Sequence, residues 1–189
     1  MDLIYTNAER EDIGVLQNYE LDLAFGSDEN SFECVVDFNN HCCGFGFFLY
    51  IEGTEYGGII DSVESKNSRQ EVIYSGRTWH GILNSKVIQP DAGADYLYCS
   101  GDANAVIGDL ISRMGLSDLF IVSDADSGLK IRSYKMNRYI TGYDGIMKML
   151  SSVGGKLKVI FNGTKVVLSA AEVHDYTQDE EFDSDQVPF

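Results

Sequence analysis

Proline is nearly absent from this 189-residue chain, with two in all, and tryptophan occurs once. So little proline, beside 44% hydrophobic residues, excludes a proline-rich linker and a chain disordered throughout. Bases are scarce as well: 14 Lys and Arg stand against 30 Asp and Glu, a formal net charge of -16. Seven of the acids lie between Glu172 and Phe189, where there is no base, yet the rest still holds 23 acids against 14 bases. Both parts are acidic. Proteins bind phosphate backbones by letting Lys and Arg displace counterions, so no nucleic-acid partner is expected, and anionic lipid surfaces are disfavoured on the same ground. No apolar run approaches the ~20 residues that cross a bilayer, so no membrane insertion is expected. The N-terminus lacks the basic-then-apolar pattern of a signal peptide, which points to a reducing cytoplasm and to four free cysteines.

What is present is strand periodicity. The stretch Tyr56–Pro90 reads as two strands joined by the polar segment Glu64–Gln70, with Ser75-Gly76 ending the second strand. A short helical turn follows in which Trp79, Ile82 and Leu83 share one side. Upstream, Asp2–Thr6 is a strand candidate. Leu21, Leu23 and Phe25 alternate with polar or small residues in a run starting at Ile13. Phe32, Cys34, Val36 and Phe38 form another alternation, and Phe45, Phe47, Leu49 and Ile51 a third. Downstream the period changes. Tyr96–Cys99 is one more strand or a connecting loop, and Ala103–Met114 is a helix with Asp102 as N-cap and Gly115 past its end. Leu119–Val122 and Leu129–Tyr134 are strands around the turn Ser123–Gly128. Thr141–Asp144 resembles a capping box opening a helix through Val153, stopped by Gly154-Gly155. Leu157–Phe161 and Thr164–Leu168 flank Asn162-Gly163 as a hairpin. The expected fold class is α+β, an N-terminal antiparallel β-barrel or sandwich with one short helix followed by a small two-helix α/β domain. The expected domains are 1–100, 101–171 and an acidic extended or disordered tail, 172–189.

No motif carries chemistry. Cys34, His41, Cys42, Cys43 and Cys99 lack the paired spacing of a zinc site, and no nucleophile motif accompanies any cysteine. Asp124-Ala-Asp126-Ser-Gly128 imitates the start of a calcium loop, but Lys135 stands where the loop needs Glu. Ser152–Lys156 lacks phosphate-loop spacing, and Asn162-Gly-Thr164 reads as a turn before it reads as a glycosylation site. Asp61, Glu64 and His80 are the only residues that would serve a hydrolase reading. The aromatic run Phe45–Tyr50 would line the groove of a carbohydrate- or peptide-binding β module, the alternative function. No catalytic, cofactor-binding or metal-binding residue is assigned. The candidate structural or interface residues are Arg77, Trp79, Phe45, Phe47 and Tyr50.

The order of elements resembles the baseplate or tail-hub proteins of long-tailed bacteriophages and prophages, a family shared with contractile injection machines. The matching features are Ser31–Asp37 ahead of Gly57-Gly58-Ile59-Ile60-Asp61-Ser62-Val63-Glu64, then Ser75-Gly76-Arg77-Thr78-Trp79, Ile82-Leu83 and Lys86–Pro90. The helix Ala103–Met114, the segment Tyr139–Gly155 and the Leu157–Leu168 hairpin with Ala171-Glu172-Val173 follow. The resemblance implies a non-enzymatic structural component of a tail hub, with no cofactor. It would assemble in the host cytoplasm at the distal end of the tail tube, and its place would be the virion tail. The implied partners are a distal tail protein, the tape-measure protein, and tail tube or tail-spike proteins. Homo-oligomers, commonly trimers, are implied too.

Overall fold

A computed structural model of the chain describes residues 2–26 and 29–173. Seven strands form one sheet: β1 (Leu3–Thr6), β2 (Asp12–Leu16), β3 (Tyr19–Leu23), β4 (Ser31–Asp37), β5 (Phe48–Tyr50), β6 (Gly57–Lys66) and β7 (Glu71–Thr78). Their order across the sheet is β2-β1-β5-β6-β7-β4-β3, with every pair antiparallel. The two edge strands, β2 and β3, are neighbours in sequence, separated only by Gln17 and Asn18. Three Cα steps of 3.8 Å cannot span more than about 11 Å. A flat sheet of seven strands would hold its edges about 29 Å apart. The sheet is therefore rolled around the buried Leu3, Leu16, Phe32, Cys34, Leu49, Ile60 and Tyr74.

No ladder joins β2 to β3, so the expected barrel is an open one. The run from Ile13 to Phe25 is two strands and not one, because Asn18 takes a left-handed conformation (φ 50°) that breaks the extended chain.

The helix α1 (Trp79–Asn84) leaves β7 directly, capped by Thr78, whose hydroxyl accepts from Gly81 N–H. Beyond it come β8 (Tyr98–Asp102), α2 (Ala103–Arg113), β9 (Phe120–Val122), β10 (Lys130–Lys135), α3 (Gly142–Ser151), β11 (Gly155–Phe161) and β12 (Val166–Glu172). Asp102 caps α2 as expected, accepting from the Asn104 and Ala105 amides, and Gly115 follows at φ 70°. The strands at Leu119 and Leu129 do not pair with each other: β9 runs parallel to β12, and β10 pairs with β8. The hairpin β11–β12 forms, turning through residues 162–165, where Asn162 Oδ1 accepts from the Thr164 and Lys165 amides. Strand β12 extends to Glu172, and the tail expectation for 174–189 lies outside the described residues.

Three local expectations differ from the structure. The alternation Phe45–Ile51 is broken by Gly46 (φ 81°), and only Phe48–Tyr50 is strand, buried at every position. It is buried twice over: Leu49 faces the rolled sheet's interior, while Phe48 and Tyr50 face the helices and the smaller sheet. Ser75-Gly76 does not end β7, which continues to Thr78. Lacking a Cβ, Gly76 lets the Ile59 carbonyl pass against it, and Gly58 does the same for the Arg77 carbonyl. The capping box at Thr141 is absent, because its hydroxyl donates to Asn84 at the end of α1 instead.

These close approaches set opposite signs for two glycine-to-alanine changes. Gly76→Ala must force β6 and β7 apart and should destabilise by about 1–3 kcal/mol or more. Gly108→Ala, on α2 with open space around it, should stabilise by about 0.5–1 kcal/mol. Urea unfolding of the two variants checks both signs.

Candidate functional site

The corner where β6, β7 and α1 meet gathers the candidate residues. Asp61 is the extra residue of a β-bulge: Ile60 faces Gly76 and Ser62 faces Ser75, leaving Asp61 without a partner across the ladder. The bulge turns its carboxylate onto Arg77. Asp61 Oδ2 accepts from Arg77 Nε at 2.7 Å, and Oδ1 from Nη2 at 2.7 Å. This pair is half-exposed and is worth at most about 1 kcal/mol, so its role is to fix the guanidinium in place. Both oxygens of Asp61 are thus committed. Glu64 lies farther along β6, opposite Ile73, and the structure does not bring it to His80.

Trp79 is fully buried and faces inward, stacked on Phe161 of β11 (centroids 5.1 Å apart, planes at 15°) with Phe48 edge-on at 5.4 Å. Tyr50 lies against the same Phe161 at 4.4 Å and donates its hydroxyl to Asp12 at 2.7 Å. The backbone of Phe161 is tied too, donating to Thr54 O and accepting from Gly53 N. Phe161 is therefore the side chain joining the rolled sheet to the smaller one. No local pattern marks it, because its partners lie about a hundred residues upstream.

His80, beside Trp79, is buried between Phe25 and Tyr143, both edge-on to its ring. Glu55 approaches Nε2 at 3.6 Å from a half-exposed position, while Nδ1 has no hydrogen-bond partner among the described residues. Burial holds the imidazole neutral, lowering its pKa to about 4.

The cysteines sit elsewhere. Cys34 and Cys43 are in the core of the rolled sheet around Tyr74, whose hydroxyl accepts from the Cys42 and Cys43 amides. Burial pushes the Cys34 thiol up to about 12 and raises that of Cys43, which favours the protonated form of both. Cys99 belongs to the other core.

Of the candidate aromatic residues only Phe45 projects into solvent, at 74% exposure; Phe47 is half-buried and Tyr50 buried, while Arg77 is partly exposed. Phe45–Tyr50 thus presents no aromatic row to a ligand. Among the described residues the most exposed aromatics besides Phe45 are Tyr139 (83%) and Tyr98 (60%), which periodicity does not single out. Tyr139 stands in a left-handed turn (φ 57°) and borders a cavity of about 230 Å³ together with Val87, Pro90 and Tyr96.

Solved structures share this architecture. A tail protein from Neisseria meningitidis MC58 superposes with a TM-score of 0.57 at 17% identity, covering 88% of this chain and 50% of its own. The prophage tail protein gp18 of Listeria monocytogenes EGD-e does so with a TM-score of 0.53 at 11% identity, covering 89% and 50%. The 43 kDa tail protein of prophage MuSo2 from Shewanella oneidensis gives 0.54 at 11%, covering 88% and 53%. The chain shares its fold with part of each of these three tail proteins. This chain spans about half the length of each of these three. No protein-family model and no curated protein matches the sequence.

The His80 environment gives a pH prediction. Above pH ~6.5 the ring is neutral in both folded and unfolded chains and adds no pH dependence. Below it, the unfolded chain takes up a proton that the folded chain refuses until about pH 4, so stability falls across that window. The full loss is about 3 kcal/mol. His80→Gln should flatten the slope of unfolding free energy by one proton between these limits, which denaturant titrations at stepped pH will read.

Proposed function

We propose that this chain is a structural component of a phage or prophage tail, placed at the hub or baseplate at the distal end of the tail tube. It acts there by binding other tail proteins and not by catalysis. The observation that carries this reading is the match of 88–89% of the chain to the fold of three tail proteins. The corner at Asp61 agrees with it. The ionisable groups that a hydrolase would need are tied up or kept apart: Asp61 is held by Arg77, and His80 is enclosed by aromatic rings.

The partners in this proposal are the distal tail protein, the tape-measure protein, tail tube or tail-spike proteins, and further copies of the chain, with a trimer as the ring. Phe45 is the contact residue proposed for one such interface, and Arg77 is held ready by Asp61 for another. Trp79 and Tyr50 hold the scaffold behind them. The division near residue 100 is proposed as a division of labour, with the rolled sheet as the ring-forming unit and the α/β part beside it. Assembly would take place in the bacterial cytoplasm and end in the virion tail.

Light scattering of the pure protein, alone and mixed with tail proteins encoded beside it, tests the reading. A stable complex with at least one neighbour is expected, weakened at least tenfold by Phe45→Ser if that side chain is in the contact. A protein that binds none of them, or that turns over a substrate with loss on Asp61→Asn, would overturn it.

A further inference from the structure

The charge of this protein is sharply divided. Between Leu129 and Lys165 stand eight bases and a single acid, Asp144, while elsewhere six bases face 29 acids. The fold gathers several of these bases on one surface. Lys130, Arg132 and Lys135 of β10 are exposed and line an open depression of about 740 Å³, closed on one side by Ser152 and Val153 after α3. Gly155 packs against Leu129, bringing the start of β11, with the exposed Lys156, beside the start of β10. Arg132 and Ser133 form a bulge opposite Ser100, with Ser133 at φ 52°. None of Lys130, Arg132, Lys135 and Lys156 makes an ion pair among the described residues.

Lysines on an edge strand often serve only to stop unwanted strand pairing, and that suffices for Lys156 and Lys158 on β11. β10 is an edge strand as well, and its bulge is another such guard, but neither device calls for three bases on one face in a chain with more than two acids per base.

The opposite charge has its own surface. On β3, an open edge of the seven-stranded sheet, Glu20 and Asp22 are exposed, and Asp22 stands directly across from Glu33 of β4. Like charges directly opposite one another destabilise a ladder. Asp22, Glu33 and Glu29 border a hollow of about 250 Å³.

We propose that the basic β10 surface of one copy docks on the acidic β3–β4 surface of a second copy, with Lys130, Arg132 and Lys135 facing Asp22, Glu29 and Glu33. The occupant follows from charge complementarity: each copy supplies both halves of the contact, and joining them relieves the Asp22–Glu33 repulsion. Because the two patches are different, the contact is head-to-tail, and successive copies form a ring if the rotation closes. Only that ring closure rests on the tail reading.

Sedimentation of the full chain at low and high salt tests the proposal. The wild type should self-associate at low salt and weaken with added salt. Arg132→Glu with Lys135→Glu, and separately Asp22→Lys with Glu33→Lys, should each weaken self-association at least tenfold. Mixing the two variants should restore it, since every face then meets its complement. Circular dichroism checks that each variant folds. If a reversal does not fold, Arg132→Gln with Lys135→Gln and Asp22→Asn with Glu33→Gln replace them, with weakening still expected. A monomeric wild type at low salt overturns the proposal, as do folded variants that associate unchanged or a mixture of folded reversal variants that stays apart. Capture of a single-stranded oligonucleotide by a chain that remains monomeric also overturns it. A monomer that still binds neighbouring tail proteins sinks this contact alone, whereas an assembling chain that binds none of them sinks the tail reading alone.

Discussion

The structure depends on Phe161 stacking against Trp79. A single aromatic contact carries this weight because of where the two rings come from: Trp79 begins the helix leaving β7, and Phe161 ends β11 in the smaller sheet. Tyr50 and Phe48 complete the cluster, so the outer face of β5 is covered by the second half of the chain while its inner face lines the rolled sheet. Burying side chains of this size contributes roughly 2–3 kcal/mol each. Ordering the connection Ser85–Leu97 and the turn around Gly53 offsets part of that. Without this joint the rolled sheet would expose an aromatic face, and the small sheet would lose the residue tied to Gly53 and Thr54.

The approach of β6 to β7 is the second constraint, and it is made of absences. Gly58 and Gly76 leave room for carbonyls of the facing strand, and Gly81 leaves room for the Asn30 carbonyl against α1. The same tight crossing produces the bulge at Asp61, which is how a carboxylate on a strand comes to hold the guanidinium of Arg77. Trp79 reaches the core because the chain turns into α1 immediately after this crossing, with Thr78 bonded to Asn30 O and Gly81 N.

Much of this was legible in the residues. Strands buried on one face, such as Ser31–Asp37, show their period directly, and α2 shows both its apolar face and its cap. The reading lapses where two environments overlap. The alternation read through Phe45–Ile51 does not mark a half-buried strand, because Phe48–Tyr50 is apolar on both faces, and Gly76 reads as a stop although its missing side chain is what keeps the strand going. Thr141 has the spacing of a capping box, yet a distant Asn84 outcompetes the local partner. Phe161 carries no local mark at all, since its role is set by residues far along the chain. The basic surface on β10 is a different case: a count of charge by segment finds it, while the summed charge of each half conceals it.

The titration behaviour of the interior bears on what kind of protein this is. Proteins displace pKa values by burial, by neighbouring charges and by hydrogen bonds to one of the two protonation states. Cys34, Cys43, Tyr74 and His80 share one leading cause, burial, and each is driven toward its neutral form, whereas Arg77, bonded to Asp61, and Asp102, bonded to Ser127 and to the first amides of α2, are held toward their charged forms. Cys34, Cys43 and Tyr74 lie in the rolled sheet's core and His80 on α1. Groups buried in this way favour their neutral forms at ordinary pH. On the outside, exposed acids gather along β3 and β4 and exposed bases along β10. Opposite charges gathered on separate surfaces are the arrangement that steers two folded surfaces together and fixes their register.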